Sequence, residues 1–126
     1  MITAGASTGA GRRILVVDDH VASVTSLSLV LSLLGYEVRC AFDGVEALRC
    51  AAEFKPEFLL VSCGFDAYEG DPIGGLNLKP EDYRTMTDVV CSLGVPVASA
   101  LEGGYSLEGL GPCAEQHALG LLAARR

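Results

Sequence analysis

The chain has 126 residues, half of them hydrophobic and 20% charged, with a formal net charge of −7. That length and apolar content suit one small globular domain with a core of its own, and exclude a disordered, highly charged chain. The acidic balance excludes nonspecific nucleic-acid binding, which needs a basic surface to neutralise phosphates.

Residues 1–11 are small and uncharged, without the charged and apolar regions of a signal peptide, and read as a disordered leader. The stretch from Val24 to Leu34 is the most apolar, yet Thr25, Ser26, Ser28 and Ser32 interrupt it and it is too short to span a bilayer. No membrane segment is expected, and the cytoplasm is the expected location. Arg13 to Asp18 is an apolar run ending in acids, the pattern of a buried parallel strand. Val24, Leu27, Leu31 and Leu34 then recur at helical spacing until Gly35 stops the helix.

A second strand is predicted from Tyr36 to Ala41. Asp43 is placed to cap a helix over Gly44 to Phe54, with Val45, Leu48 and Ala52 on one face. Glu57 to Ser62 reads as a third strand, followed by a Gly- and Pro-rich loop from Cys63 to Lys79. Pro80 starts a third helix, with Tyr83, Met86, Val90 and Leu93 on one face and Gly94 at its end. Val95 to Leu101 is the fourth strand, Glu102-Gly-Gly-Tyr105 a tight turn, and Ser106 opens a last helix to about Ala124.

Four strands joined by helices predict one α/β domain over residues 12–126. The expected form is a flavodoxin-like, Rossmann-like three-layer α/β/α sandwich, its parallel sheet ordered 2-1-3-4. Ligands of such sheets bind at the carboxyl ends of the strands. Asp18, Asp19 and His20, then Ser62 to Asp66, then Tyr105 all fall on that edge. A sheet of four strands leaves the fourth as an edge open to a homodimer. The five cysteines (Cys40, Cys50, Cys63, Cys91 and Cys113) contain no C-x-x-C pair and read as packing residues, Cys63 lying nearest the candidate site.

Two resemblances divide the chain near Pro56. Residues 12–56, with Asp18-Asp19 at a strand end and Ala41-Phe-Asp-Gly-Val-Glu-Ala-Leu48, resemble the receiver domain of a response regulator. That resemblance implies Mg²⁺ held by the acidic pair, as hard oxygen ligands suit it. The position of the phosphate-accepting aspartate, however, is Ser62, and a serine cannot form the acyl phosphate. Residues 57–126 contain Gly64-Phe-Asp-Ala67, Gly70-Asp-Pro-Ile-Gly-Gly-Leu-Asn-Leu78 and Leu101-Glu-Gly-Gly-Tyr105. They resemble the last third of a histone deacetylase or acetylpolyamine amidohydrolase domain. That second resemblance implies Asp66 as a Zn²⁺ ligand and Tyr105 as the tyrosine that polarises the amide carbonyl.

The family's Asp-x-His strand and His-His pair have no counterpart in that half. Asp18-Asp19-His20 is itself Asp-x-His, so Asp18, His20 and Asp66 could rebuild a zinc site with an open position for water. Equally, His20 could simply begin the first helix. Asp71 reads as a turn-fixing residue. The expected function is a non-catalytic pseudo-receiver that binds Mg²⁺ or Zn²⁺ at the sheet edge and acts through a protein partner. The alternative is a truncated zinc-dependent amidohydrolase with weak or no activity.

Overall fold

A computed structural model describes residues 11–124, and the leader expected over residues 1–11 lies, apart from Gly11, outside them. The chain divides into two compact units, one ending at Leu59 and one beginning at Leu60.

The first unit contains β1 (Arg13–Val17), α1 (Val21–Leu33), β2 (Glu37–Ala41) and α2 (Gly44–Phe54). β1 and β2 pair in parallel from Arg13↔Glu37 to Val17↔Ala41, and α1 is the crossover that a parallel pair requires. Asp43 caps α2 as its sequence predicts: the carboxylate accepts the Glu46 N–H at 2.7 Å, while the Glu46 carboxylate accepts the Phe42 N–H at 2.9 Å. Lys55 ends that helix in the left-handed region at φ 51°. Val16, Val24, Ala41, Cys50 and Phe54 are buried.

Two expected faces differ. α1 carries apolar side chains on every side, so periodicity cannot name its buried face, and of its residues only Val24 is fully buried. On α2 the buried residues are Cys50 and Phe54, while Val45 and Leu48 are exposed.

The second unit takes in nearly all of β3 (Leu59–Cys63), with α3 (Pro80–Cys91), β4 (Val97–Leu101) and α4 (Leu110–Ala123). Its core joins Cys63, Phe65, Tyr83 and Cys113, with Val61, Tyr68, Leu78 and Leu110 packed around them. The Phe65 and Tyr83 rings meet edge to face at 5.0 Å, an arrangement worth about 1 kcal/mol beyond area burial. α3 and α4 approach closely at Gly120, where a Cβ would come 2.7 Å from Thr87 Cγ2. Pro80 opens α3, and the Asp82 carboxylate accepts the Lys79 N–H at 2.8 Å.

The loop between β3 and α3 is ordered by its own ladder. Leu78 donates to the Ala67 carbonyl and accepts from the Glu69 N–H, both at 2.9 Å.

Parallel strands and alternating helices make this an α/β protein. The single sheet of order 2-1-3-4 is not seen among the described residues: β1–β2 and β3–β4, two of the three neighbouring pairs it contains, form two two-stranded sheets. Order 2-1-3-4 would need a ladder between β1 and β3. Glu57, two residues before β3, makes two hydrogen bonds with Arg13 at 3.1 Å, its carboxylate accepting the Arg13 N–H and its N–H donating to the Arg13 carbonyl.

Candidate functional site

Beyond their carboxyl ends β3 and β4 stay hydrogen-bonded. Glu102 N–H donates to the Cys63 carbonyl at 3.0 Å, and Phe65 N–H donates to the Gly103 carbonyl at 3.1 Å. Because both strands exit at the same edge, Asp66 and the Gly103-Gly104-Tyr105 turn become neighbours. Gly103 and Gly104 hold φ of 90° and 113°, values that side-chain-bearing residues rarely adopt. A Cβ on Gly103 would meet the Asp66 carboxylate at 3.4 Å, and one on Gly74 would overlap the Asp66 carbonyl. Asp66 is exposed and Tyr105 half-exposed, so both present their side chains at the surface of this edge.

Asp71 organises the same edge from below. It is buried, and its carboxylate accepts four backbone N–H groups: Ile73 and Gly74 on Oδ1, each at 2.9 Å, Tyr105 at 2.7 Å and Ser106 at 3.2 Å on Oδ2. Burial pushes its carboxyl pKa up, but the four donors outweigh that and hold it below the ordinary carboxylate value. The sequence reading of Asp71 as a turn former covers the Ile73 and Gly74 bonds. Its reach to Tyr105, 34 residues on, had no local signal.

Behind the edge lies an open, mainly apolar cleft of about 250 Å³ lined by Val61, Cys63, Tyr83, Met86 and His117 among others. Burial pushes the Cys63 thiol pKa up. The Tyr83 hydroxyl is buried without a hydrogen-bond partner among the described residues, and its pKa is pushed up to about 12, first by burial and then by nearby acidic groups.

His117 is held at both ring nitrogens, Nδ1 at 2.7 Å from Thr87 Oγ1 and Nε2 at 2.8 Å from Ser99 Oγ. Thr87 spends its own proton on the Tyr83 carbonyl, so Nδ1 is the protonated nitrogen and Nε2 accepts from Ser99. Burial lowers the His117 pKa.

The candidate ligands of the first half belong to the first unit. Asp18 Oδ1 accepts the His20 N–H at 2.7 Å, and His20 caps α1, its Nδ1 within 2.8 Å of Ser23 Oγ and accepting the Ser23 N–H at 3.3 Å. Asp19 is exposed. Asp66 and Tyr105 belong to the second unit. A catalytic zinc takes three protein ligands and keeps one position open. No group of three or more His, Cys, Asp or Glu side chains able to hold a metal ion occurs among the described residues. The residues present therefore do not by themselves complete a zinc centre. No helix among the described residues is long and apolar enough to cross a membrane.

Comparison with known proteins locates this edge. The family model for the histone deacetylase domain matches residues 37–121, more than half of the chain. Histone deacetylase 18 of Arabidopsis thaliana is 47% identical over 60 residues, which are 47% of this chain and 9% of that protein. Polyamine deacetylase HDAC10 of Homo sapiens is 47% identical over 64 residues, 50% of this chain and 10% of the relative. The crystal structure of acetylpolyamine aminohydrolase from Burkholderia pseudomallei superposes with a TM-score of 0.57 at 30% identity, covering 64% of this chain and 23% of that one. The chain thus spans about a tenth of the length of the two sequence relatives.

These matches overturn the pseudo-receiver reading. The deacetylase match begins at residue 37 and takes in β2 and α2, both assigned by that reading to a receiver. The local chemistry has another explanation as well: Asp18 and His20 build the turn into α1, and Ser62 donates its hydroxyl to the Glu102 carboxylate. Asp66, Asp71 and Tyr105 all lie inside the matched segment, on the edge that its paired strands build, and this chain belongs to the histone deacetylase domain family.

Proposed function

We propose that the chain carries the aspartate and tyrosine wall of a deacetylase-type amidohydrolase site for acetylated amines, with weak or no turnover of its own. The observation that supports this most is the apposition of Asp66 and the Gly-Gly-Tyr turn by the hydrogen-bonded ends of β3 and β4. Tyr105 would donate its phenol proton in a hydrogen bond to an acyl oxygen as negative charge develops there. The family is zinc-dependent, and Asp66 is the residue this edge would contribute as a ligand.

Proton transfer is the weak point. The sequence has two histidines, His20 and His117, and no His-His pair. His20 caps a helix and His117 is tied to two hydroxyls. Lack of a general acid–base at the reacting centre costs roughly 10²–10⁴-fold in rate.

Two assays test the reading. Incubated with zinc and an acetyl-lysine peptide or an acetylated polyamine, the chain alone should give at most trace hydrolysis. Residues 60–121 grafted in place of the matching segment of human polyamine deacetylase should support hydrolysis that Asp66→Asn and Tyr105→Phe each lower by about 100-fold or more. A graft that is active yet indifferent to both substitutions would refute the assignment.

A further inference from the structure

The geometry points to Asp71 as the positioning residue of Tyr105, a role that rests on the reading of Tyr105 as the group facing the acyl oxygen. Tyr105 is half-exposed and follows two glycines of positive φ. The Gly103 carbonyl accepts the Phe65 N–H, and Asp71 adds a restraint on the residue that follows them. Its own N–H donates to the Tyr68 carbonyl at 3.0 Å, which pins the residue in the loop ladder. Its carboxylate then spans two segments of chain, taking the Ile73 and Gly74 amides on one oxygen and the Tyr105 and Ser106 amides on the other.

Only an ionised carboxylate can serve all four donors, because each oxygen must present two acceptor sites. Charge-assisted bonds of this kind are about twice as strong as neutral ones. Burial keeps water from competing, since Asp71 is 9% exposed. Ser106 gains a second function from the same contact: its hydroxyl accepts the Gly109 N–H at 3.0 Å, so the strut that fixes Tyr105 also sets the turn leading into α4.

Asparagine separates the two arms chemically. Its single carbonyl oxygen can keep the Ile73 and Gly74 amides, but its NH₂ then faces the Tyr105 and Ser106 N–H groups as donor against donor. Alanine removes both arms.

The test is nuclear magnetic resonance on the full chain labelled with ¹³C and ¹⁵N. Wild type should show a through-hydrogen-bond coupling between the Asp71 side-chain carboxyl carbon and the Tyr105 amide nitrogen. In Asp71→Asn that coupling should vanish, and the Tyr105 and Ser106 amides should exchange with solvent about tenfold faster or more, while Ile73 and Gly74 stay protected. In Asp71→Ala all four amides should lose protection.

A purely local turn role would change Ile73 and Gly74 and leave Tyr105 unmoved, and that result would overturn the proposal. Should Asp71→Asn fail to fold, absence of the coupling in wild type overturns it just as directly. None of these readouts uses turnover. A graft insensitive to Tyr105→Phe would therefore remove the catalytic reading while leaving the Asp71 strut standing.

Discussion

Histidine 117 shows how a residue can be read from its partners. On the sequence it is one histidine on a helix beside Leu110, Ala114 and Leu121, placed at the surface or the edge of the core. In the fold it bridges α3 and β4 through Thr87 and Ser99, and burial lowers its pKa. The unfolded chain, with an ordinary histidine value of about 6.5, therefore binds the proton first as pH falls. Stability from the neutral ring is fully present above that value and is lost as pH drops towards the lower folded value. Urea midpoints of the second unit should accordingly fall between pH 7.5 and 5.5 in wild type, and this decline should flatten in His117→Gln. An equal decline in both proteins would assign it to other groups.

At the scale of elements, caps and stops were legible because they act within one turn of chain. Asp43 before α2, Gly35 after α1 and Pro80 at the start of α3 could each be named from side-chain chemistry alone. Helix faces were less legible: α1 is apolar all round, and on α2 the buried residues are Cys50 and Phe54 rather than Val45 and Leu48. The glycines of the candidate edge divide by what surrounds them. Gly104 combines φ of 113° with Phe65 Cβ 3.0 Å and Leu110 Cδ1 3.2 Å from a built Cβ. Gly75 meets nothing within 4 Å. Gly104→Ala should cost about 1–3 kcal/mol of unfolding free energy, the range for strained backbone, whereas Gly75→Ala should stay within about 0.5 kcal/mol. Chemical denaturation of the two variants checks this, and equal midpoints would mean that the turn relaxes around the new methyl.

For the whole molecule the dominant surface feature is exposed apolar side chains, among them Leu33 at 78%, Val45 at 82%, Leu48 at 74% and Leu107 at 98%. Exposed apolar surface of this amount favours association, and β4 has β3 as its one hydrogen-bonded neighbour among the described residues. Light scattering should show mass rising with concentration, through a second copy or higher assembly, and a constant monomer mass over a hundredfold range would refute this.

The sequence by itself determined where four strands and four helices lie, to within a few residues. Through the spacing of Gly64-Phe-Asp66 and Gly-Gly-Tyr105 it also determined which family the second half resembles. Those signals are local, written in periodicity, caps and a motif. The tertiary structure alone decided that the pairs β1–β2 and β3–β4 form two two-stranded sheets among the described residues rather than one sheet of four. It also decided that Asp18 and His20 serve a helix start and that Asp71 holds Tyr105 from 34 residues away. The Asp71–Tyr105 contact depends on which backbone groups find partners across a long stretch of chain, and a hydrogen bond between distant residues leaves no periodic trace in either segment.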